Sequence, residues 1–198
     1  MDSDAAYRIA FATVVLTGIV VAARIRRKAD RAGGRISRGE DPVPVRIALG
    51  ATAGSFLAGS LAWIVSPAWM AWAELAVPTF LRWTAVAVAL GAVVVGARIL
   101  GALGRNVTPT SAVRGDATLV TDGPYRRVRH PLYTNSLFFY GSLAVVAANA
   151  LLMVCALATF LVLAWRSRLE EARLEERFGE AYRSYRRETG RFLPPLSR

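Results

Sequence analysis

Cysteine and histidine are almost missing from this chain: Cys155 and His130 are the single representatives among 198 residues. One cysteine excludes an intramolecular disulfide. With no C-x-x-C pair and no second histidine, there is no zinc-type ligand set, and no metal is expected. Cys155 lies in an apolar run, where a thiol acts as a small hydrophobe. Acidic residues are also scarce, 14 Asp and Glu against 25 Lys and Arg, which gives a formal net charge of +11. No glycine-rich phosphate loop is present, because "GALGRN" at 101–106 lacks the Lys-Ser/Thr pair and a preceding strand. No serine sits in a nucleophile elbow with an ordered Asp and His.

What the chain does have is apolar length. It is 54% hydrophobic, with a mean hydropathy of +0.35 and a pI near 11.1. A soluble domain of this size rarely combines those values, whereas membrane-spanning runs joined by basic loops explain both. A nucleic-acid binder shares the high pI but has no need of uninterrupted Val/Ala/Leu runs, so no nucleic-acid partner is expected. The basic excess fits the positive-inside bias and contact with anionic lipid headgroups, so membrane lipids are expected partners. Asp2 and Asp4 precede the first apolar run and Arg24, Arg26, Arg27 and Lys28 follow it. That charge order is the reverse of a cleaved secretory signal and suits a retained helix with its N-terminus outside.

The expected class is all-α: a polytopic membrane protein of about five transmembrane helices with a C-terminal cytoplasmic helix. The first span is read at 7–23 and is followed by a polar loop over 24–46. The second, at 45–65, carries Gly50, Gly54 and Gly59, small residues that permit close helix packing. A Trp-rich, cation-free stretch over 66–77 fits an outer interface belt. Pro78 then starts a third span at 79–103, with Arg82 expected to snorkel outward and Arg98 inward. A long polar, basic loop covers 104–131. The apolar stretch 132–165 is too long for one span. It predicts a hairpin turning near Asn149, the alternative being one long tilted helix. From Arg166 a charged helix with i,i+4 pairs such as Arg166/Glu170 is expected to run to about Gly190, where Pro194 and Pro195 bar continuation. Residues 1–103 form an N-terminal membrane unit in this scheme, and 104–198 the half that carries chemistry. All basic segments then fall on one face, with the C-terminus inside. Usage rich in Ala, Val, Arg and Gly suits a GC-rich prokaryote, hence its inner (cell) membrane.

Two polar clusters share that basic face: "LVTDGPYRRVRHPLY" at 119–133 and "RSRLEE" at 166–171. Taken singly, each residue has an ordinary explanation. Tyrosines populate interface belts, arginines mark cytoplasmic ends, and glutamates on charged helices form solvated pairs. Together they offer aromatic faces for a cation or an adenine (Tyr125, Tyr133), a carboxylate fork (Arg129), and acceptors for ammonium or hydroxyl groups (Glu170, Glu171).

The combination resembles the isoprenylcysteine carboxyl methyltransferase family of membrane enzymes. The core is met by Gly123, Tyr125, Arg129, His130, Pro131 and Tyr133, and the downstream pattern by Glu170, Glu171, Phe178, Gly179, Tyr182 and Tyr185. The resemblance implies S-adenosyl-L-methionine as methyl donor. It implies contacts from Ala117, Thr118, Leu119 and Val120, a pocket lined by Tyr125, His130, Pro131, Leu132 and Tyr133, and Glu170 at the cofactor's polar end. Arg166 corresponds to an arginine that engages substrate, with Arg129 a weaker candidate. The implied partner is a lipophilic small molecule or prenylated substrate, methylated on a carboxylate. Asn135 departs from the family, which often has glycine there, and is expected to alter the helix start or narrow the groove. The competing readings are a thiol or phospholipid amine as acceptor, a non-enzymatic protein binding anionic lipid, and a nicotinamide-dependent lipid reductase on a related scaffold.

Overall fold

The computed structural model describes residues 3–32, 41–104 and 118–195. Six α-helices are found there: α1 (Ser3–Ala32), α2 (Val43–Val65), α3 (Thr79–Leu103), α4 (Pro131–Ala147), α5 (Ala150–Phe178) and α6 (Glu180–Glu188). No strand occurs among the described residues, only two isolated bridges. Helices α1, α2, α3 and α5 are long and apolar enough to cross a membrane. The fourth expected span, α4, has 17 residues and a length of about 26 Å at 1.5 Å per residue. The chain is an integral membrane protein, as its composition predicts.

The predicted hairpin is present. α4 ends at Ala148, whose left-handed φ of 50° closes the turn. Asn149 caps α5: its side-chain oxygen accepts from the Leu152 N–H at 3.2 Å, and its amide donates to the Met70 carbonyl at 3.2 Å. A polar residue in mid-run therefore belongs to a turn, with every polar atom of its amide used.

Two boundaries differ from expectation. α1 does not stop at residue 23 but runs through Arg24–Lys28 to Ala32. Charge ends the apolar span but does not end the helix: Arg, Lys and Ala are good helix formers, and no glycine or proline falls between Ile19 and Ala32. Likewise no new helix begins at Arg166. α5 continues unbroken from the membrane to Phe178 and breaks at Gly179, with φ of 54°. Arg166 and Glu170 thus stand on the same rigid rod as the hairpin.

α3 packs on α4, α4 and α2 on α5, and α1 on α3. One core joins them, with Phe11, Phe56, Trp63, Leu143 and Leu152 among its buried members. Between membrane helices, close approach depends on small residues. The closely packed stripe lies on α3, where Ala85, Ala89, Ala92 and Gly96 are buried at helical spacing. It does not lie on α2 as expected: Gly50 and Gly54 have no neighbour within 4 Å, and only Gly59 is packed, with a built Cβ 3.0 Å from Leu152.

Cations cap helix ends at the Trp-rich face. Arg8 donates to the Ile64 and Val65 carbonyls at 2.7 and 3.0 Å. Arg82 donates to the Val146 carbonyl and to Asp4 and lies over the Tyr7 ring. Arg82 is therefore turned inward to satisfy a terminal carbonyl and does not snorkel to water.

Asn135 does not alter the start of α4, which begins at Pro131 with His130 as N-cap. Its amide donates to the Ala92 carbonyl at 3.0 Å, locking α4 to α3. A Cβ at Gly96 would lie 2.9 Å from that amide nitrogen. Gly96→Ala is expected to break the lock and destabilise the protein by about 1–2 kcal/mol. Gly91→Ala, in open space on the same helix, should be neutral or stabilising by about 0.5–1 kcal/mol. Thermal unfolding of both variants in detergent checks this, and equal behaviour of the two glycines would contradict the interhelical lock.

Candidate functional site

The hairpin brings the two polar clusters together at the basic end of the bundle. Pro131 opens α4, so His130 and Tyr133 lie at its first turn, and α5 presents Arg166, Glu170 and Glu171 on the turns that face them. Tyr133 joins the strands of this network. Its hydroxyl donates to Glu170 Oε2 at 2.6 Å and accepts from Arg166 Nη1 at 3.2 Å. Arg166 and Glu170, four residues apart, thus share one phenol instead of forming the direct pair expected. His130 stacks on Tyr133 with ring centroids 5.1 Å apart. Its Nε2 lies 3.2 Å from Glu171 and its Nδ1 3.8 Å from Glu170.

Glu171 is the structural anchor. It is buried and receives Arg129 at 3.0 Å, His130 at 3.2 Å and Arg191 at 2.6 Å. Arg129 also donates to the Arg186 and Thr189 carbonyls. Its Nε and Nη1 are therefore taken by the protein itself, while the side chain also lines the cavity beside these groups. The C-terminal tail follows from this. It pairs in parallel with residues 127–130 through Gly190 N–H to Arg127, Arg129 N–H to Gly190 and His130 N–H to Arg191. Thr134 adds a bond to the Phe192 carbonyl.

A cavity of about 570 Å³ opens beside these groups. At one end it is polar, lined by Tyr125, His130, Tyr133, Arg166, Glu170 and Tyr182. At the other it runs between membrane helices, past Gly18, Leu49, Ala53, Phe139 and Tyr140. Thr118, Leu119, Val120, Pro131, Leu132 and Asn135 also line it, while Ala117 lies outside the described residues. Residues from both 1–103 and 104–198 contribute to the walls. Burial raises the phenols of Tyr125 and Tyr182 well above the ordinary tyrosine range, and Tyr185 is pushed up to about 12. All three stay neutral donors at physiological pH. Tyr185 spends its hydroxyl on the Tyr125 carbonyl at 2.6 Å, which fixes the 3-10 turn at Gly123–Arg126.

Asp41 is a residue of this network that the sequence reading missed. It is buried, with Oδ2 3.2 Å from Arg166 Nε and Oδ1 3.8 Å from Arg173. The Arg166 Nε–H is not aligned on an acceptor, so this is an ion pair and not a directed hydrogen bond. The available signal was an acidic pair, Glu40 and Asp41, set before "PVP" on the basic face.

Residues 80–181 match the phospholipid methyltransferase family, just over half of the chain. The chain belongs to that family. The motif resemblance therefore pointed to the right group of membrane proteins. A curated relative, the methanethiol S-methyltransferase of Pseudomonas deceptionensis, is 35% identical over 83 residues, which span 42% of this chain and 31% of the relative. Among solved structures, the eukaryotic intramembrane Ras methyltransferase ICMT (isoprenylcysteine carboxyl methyltransferase) superposes with a TM-score of 0.53 at 22% identity. That match covers 78% of this chain and 53% of the other, and it bears on the fold alone. The chain thus spans about a third of the curated relative and about half of the solved structure.

Proposed function

We propose that this family member is an S-adenosyl-L-methionine-dependent methyltransferase that acts on an amphiphilic acceptor at the basic, cytoplasmic face of a membrane. The observation that carries the reading is the single cavity with two chemistries: a polar arm among Tyr125, His130, Tyr133 and Glu170, continuous with an apolar arm between membrane helices. A water-borne charged donor and a greasy acceptor need such a junction to meet. The donor set fits the cofactor. Tyr125 and the stacked His130–Tyr133 pair offer aromatic faces for an adenine or a sulfonium, and Glu170 offers a carboxylate for a cationic or hydroxyl group. Thr118, Leu119, Val120, Pro131 and Leu132 complete its walls, with Ala117 the adjoining residue in sequence.

When bound, S-adenosylmethionine supplies a methyl group already activated on a sulfonium, so no covalent enzyme intermediate is required. The protein's task is alignment and exclusion of water. Arg166 is assigned to position the acceptor, held from behind by Asp41 and from the side by Tyr133. Both nitrogens of His130 face glutamates, which leaves the imidazole without an open side to act as a base. An acceptor already ionised at neutral pH, a carboxylate, suits that arrangement. A second reading, a thiol acceptor, is favoured by the likeness to a methanethiol S-methyltransferase. A thiol would have to enter as its thiolate.

Purified protein in detergent is expected to bind S-adenosylhomocysteine, and Glu170→Ala to lose at least about tenfold in affinity. Absence of binding by well-folded wild-type protein would sink the reading. Transfer of labelled methyl groups to a panel of prenylcysteines, fatty acids, thiols and phospholipid amines separates the acceptor classes.

A further inference from the structure

Arg24, Arg26, Arg27 and Lys28 form a run of cations on α1 near the basic face. Any of them would serve to mark the inner side of a membrane. Of the four, only Arg26 lines the cavity. It completes a stripe with Gly18 and Ala22, spaced four residues apart on one face of the helix, and all three are cavity walls. A Cβ at Gly18 would lie 3.4 Å from the Phe139 ring, so the stripe faces α4. Arg26 stands about 12 Å further towards the basic face, at 1.5 Å per residue. It makes no hydrogen bond or ion pair among the described residues. It also lies outside residues 80–181, so membership of the family assigns it nothing.

Tyr140 meets Arg26 from the facing helix. α1 ends at the basic face and α4 begins there, and helical side chains lean towards their own N-terminus. Arg26 therefore leans into the membrane and Tyr140 towards the basic face, and the Arg26 charge acts on the Tyr140 phenol. The Tyr140 ring is braced by Phe56 and Phe139, with centroids 5.0 and 5.3 Å away. Its hydroxyl makes no hydrogen bond among the described residues, and it is not closed to solvent as the Tyr182 hydroxyl is. The membrane arm thus carries two open donors, a guanidinium and a phenol. They are separate from Arg166, which is already engaged with Asp41 and Tyr133. A hydrocarbon chain has no use for either donor. Two donors beside apolar walls complement an anionic oxygen at the head of an apolar chain.

We infer that Arg26, with Tyr140, forms a second anion subsite that takes the oxyanion of a lipid whose chain fills the membrane arm. The oxyanion is a lipid phosphate or carboxylate, held apart from the group that Arg166 positions. This rests on the reading of that arm as the acceptor's. An acceptor with an anionic head is then chosen over a neutral lipid with the same chain.

The test uses full-length protein in a neutral detergent, without cofactor, titrated by microscale thermophoresis with three lipids that share an oleoyl chain: lysophosphatidic acid, oleic acid and monoolein. Wild type is expected to bind one or both anionic lipids at least about tenfold more tightly than monoolein. Arg26→Gln should cut that preference to less than about threefold, and Tyr140→Phe should weaken the anionic lipids by about threefold. Arg27→Gln removes a neighbouring charge that does not line the cavity and should keep the preference. Preference for lysophosphatidic acid alone identifies the phosphate, and for oleic acid alone the carboxylate. No preference in wild type, full preference in Arg26→Gln, or equal losses in Arg26→Gln and Arg27→Gln would each overturn the subsite. The affinity of Arg26→Gln for S-adenosylhomocysteine should equal that of wild type, and a loss there would move Arg26 to the polar arm and overturn its assignment to the lipid. Wild type that binds no S-adenosylhomocysteine would overturn the cofactor reading, with the lipid titrations deciding the subsite separately.

Discussion

Glu171→Ala is expected to destabilise the protein by about 3–5 kcal/mol, the largest effect of any single polar substitution. The carboxylate is buried and three cationic or ionisable groups converge on it: Arg129 at 3.0 Å, His130 at 3.2 Å and Arg191 at 2.6 Å. Removing it leaves Arg129 and Arg191 without their shared counterion, and burying unpaired charge costs far more than an exposed pair contributes. The tail at 189–193 loses its side-chain anchor in the same step. Proteolysis there should therefore accelerate before the membrane helices unfold. Glu176→Ala, an exposed control on the same helix, should stay within about 0.5 kcal/mol. Denaturant unfolding in detergent with limited proteolysis reads both effects. A loss below about 1 kcal/mol would mean that Glu171 is not the anchor.

The largest expected effect on turnover is at Arg166. In the proposed role it positions the acceptor, so Arg166→Ala should lower kcat/KM by about a hundredfold to a thousandfold. Arg166→Lys should not rescue it, because an ammonium on a flexible stem cannot span Asp41 and the Tyr133 hydroxyl with a fixed fork. Asp41→Asn keeps the shape but removes the charge behind Arg166. It should cost on the order of tenfold through misplacement. Affinity for S-adenosylhomocysteine should be largely kept in all three, since Glu170 and Tyr125 are untouched. Methyl transfer from labelled S-adenosylmethionine measures this series, and undiminished turnover of Arg166→Ala would remove Arg166 from the reaction.

What the sequence reveals and what it hides divide along a physical line. The ends of α3 are legible because Pro78 and Gly104 punctuate it, and the hairpin because Asn149 interrupts an apolar run. The extent of α1 and the continuity of α5 are not legible from hydropathy. Polarity reports where a membrane stops, whereas backbone hydrogen bonding decides where a helix stops. The site shows the same split. Tyr125, His130, Tyr133, Arg166 and Glu170 lie in two local motifs and come together around one cavity. Asp41 and Arg191 belong to no motif. They arrive from 125 and 20 residues away, to Arg166 and Glu171 respectively, and such long-range ion pairs leave no local periodicity to read. Arg129 is the instructive case: a fork for carboxylates was legible, but the carboxylate it holds is the protein's own.

The parallel pairing of Gly190 and Arg191 with residues 127–130 separates the tail from the core of the bundle. The bundle core lies wholly within α1–α5 and the turn after α2. The backbone N–H groups of Arg129 and His130, and the third partner of Glu171, depend on residues 190 and 191. The core of the bundle thus contains no residue of the tail, and the short peptide at 190–191 closes the hydrogen bonding behind Arg129 and His130 from outside that core.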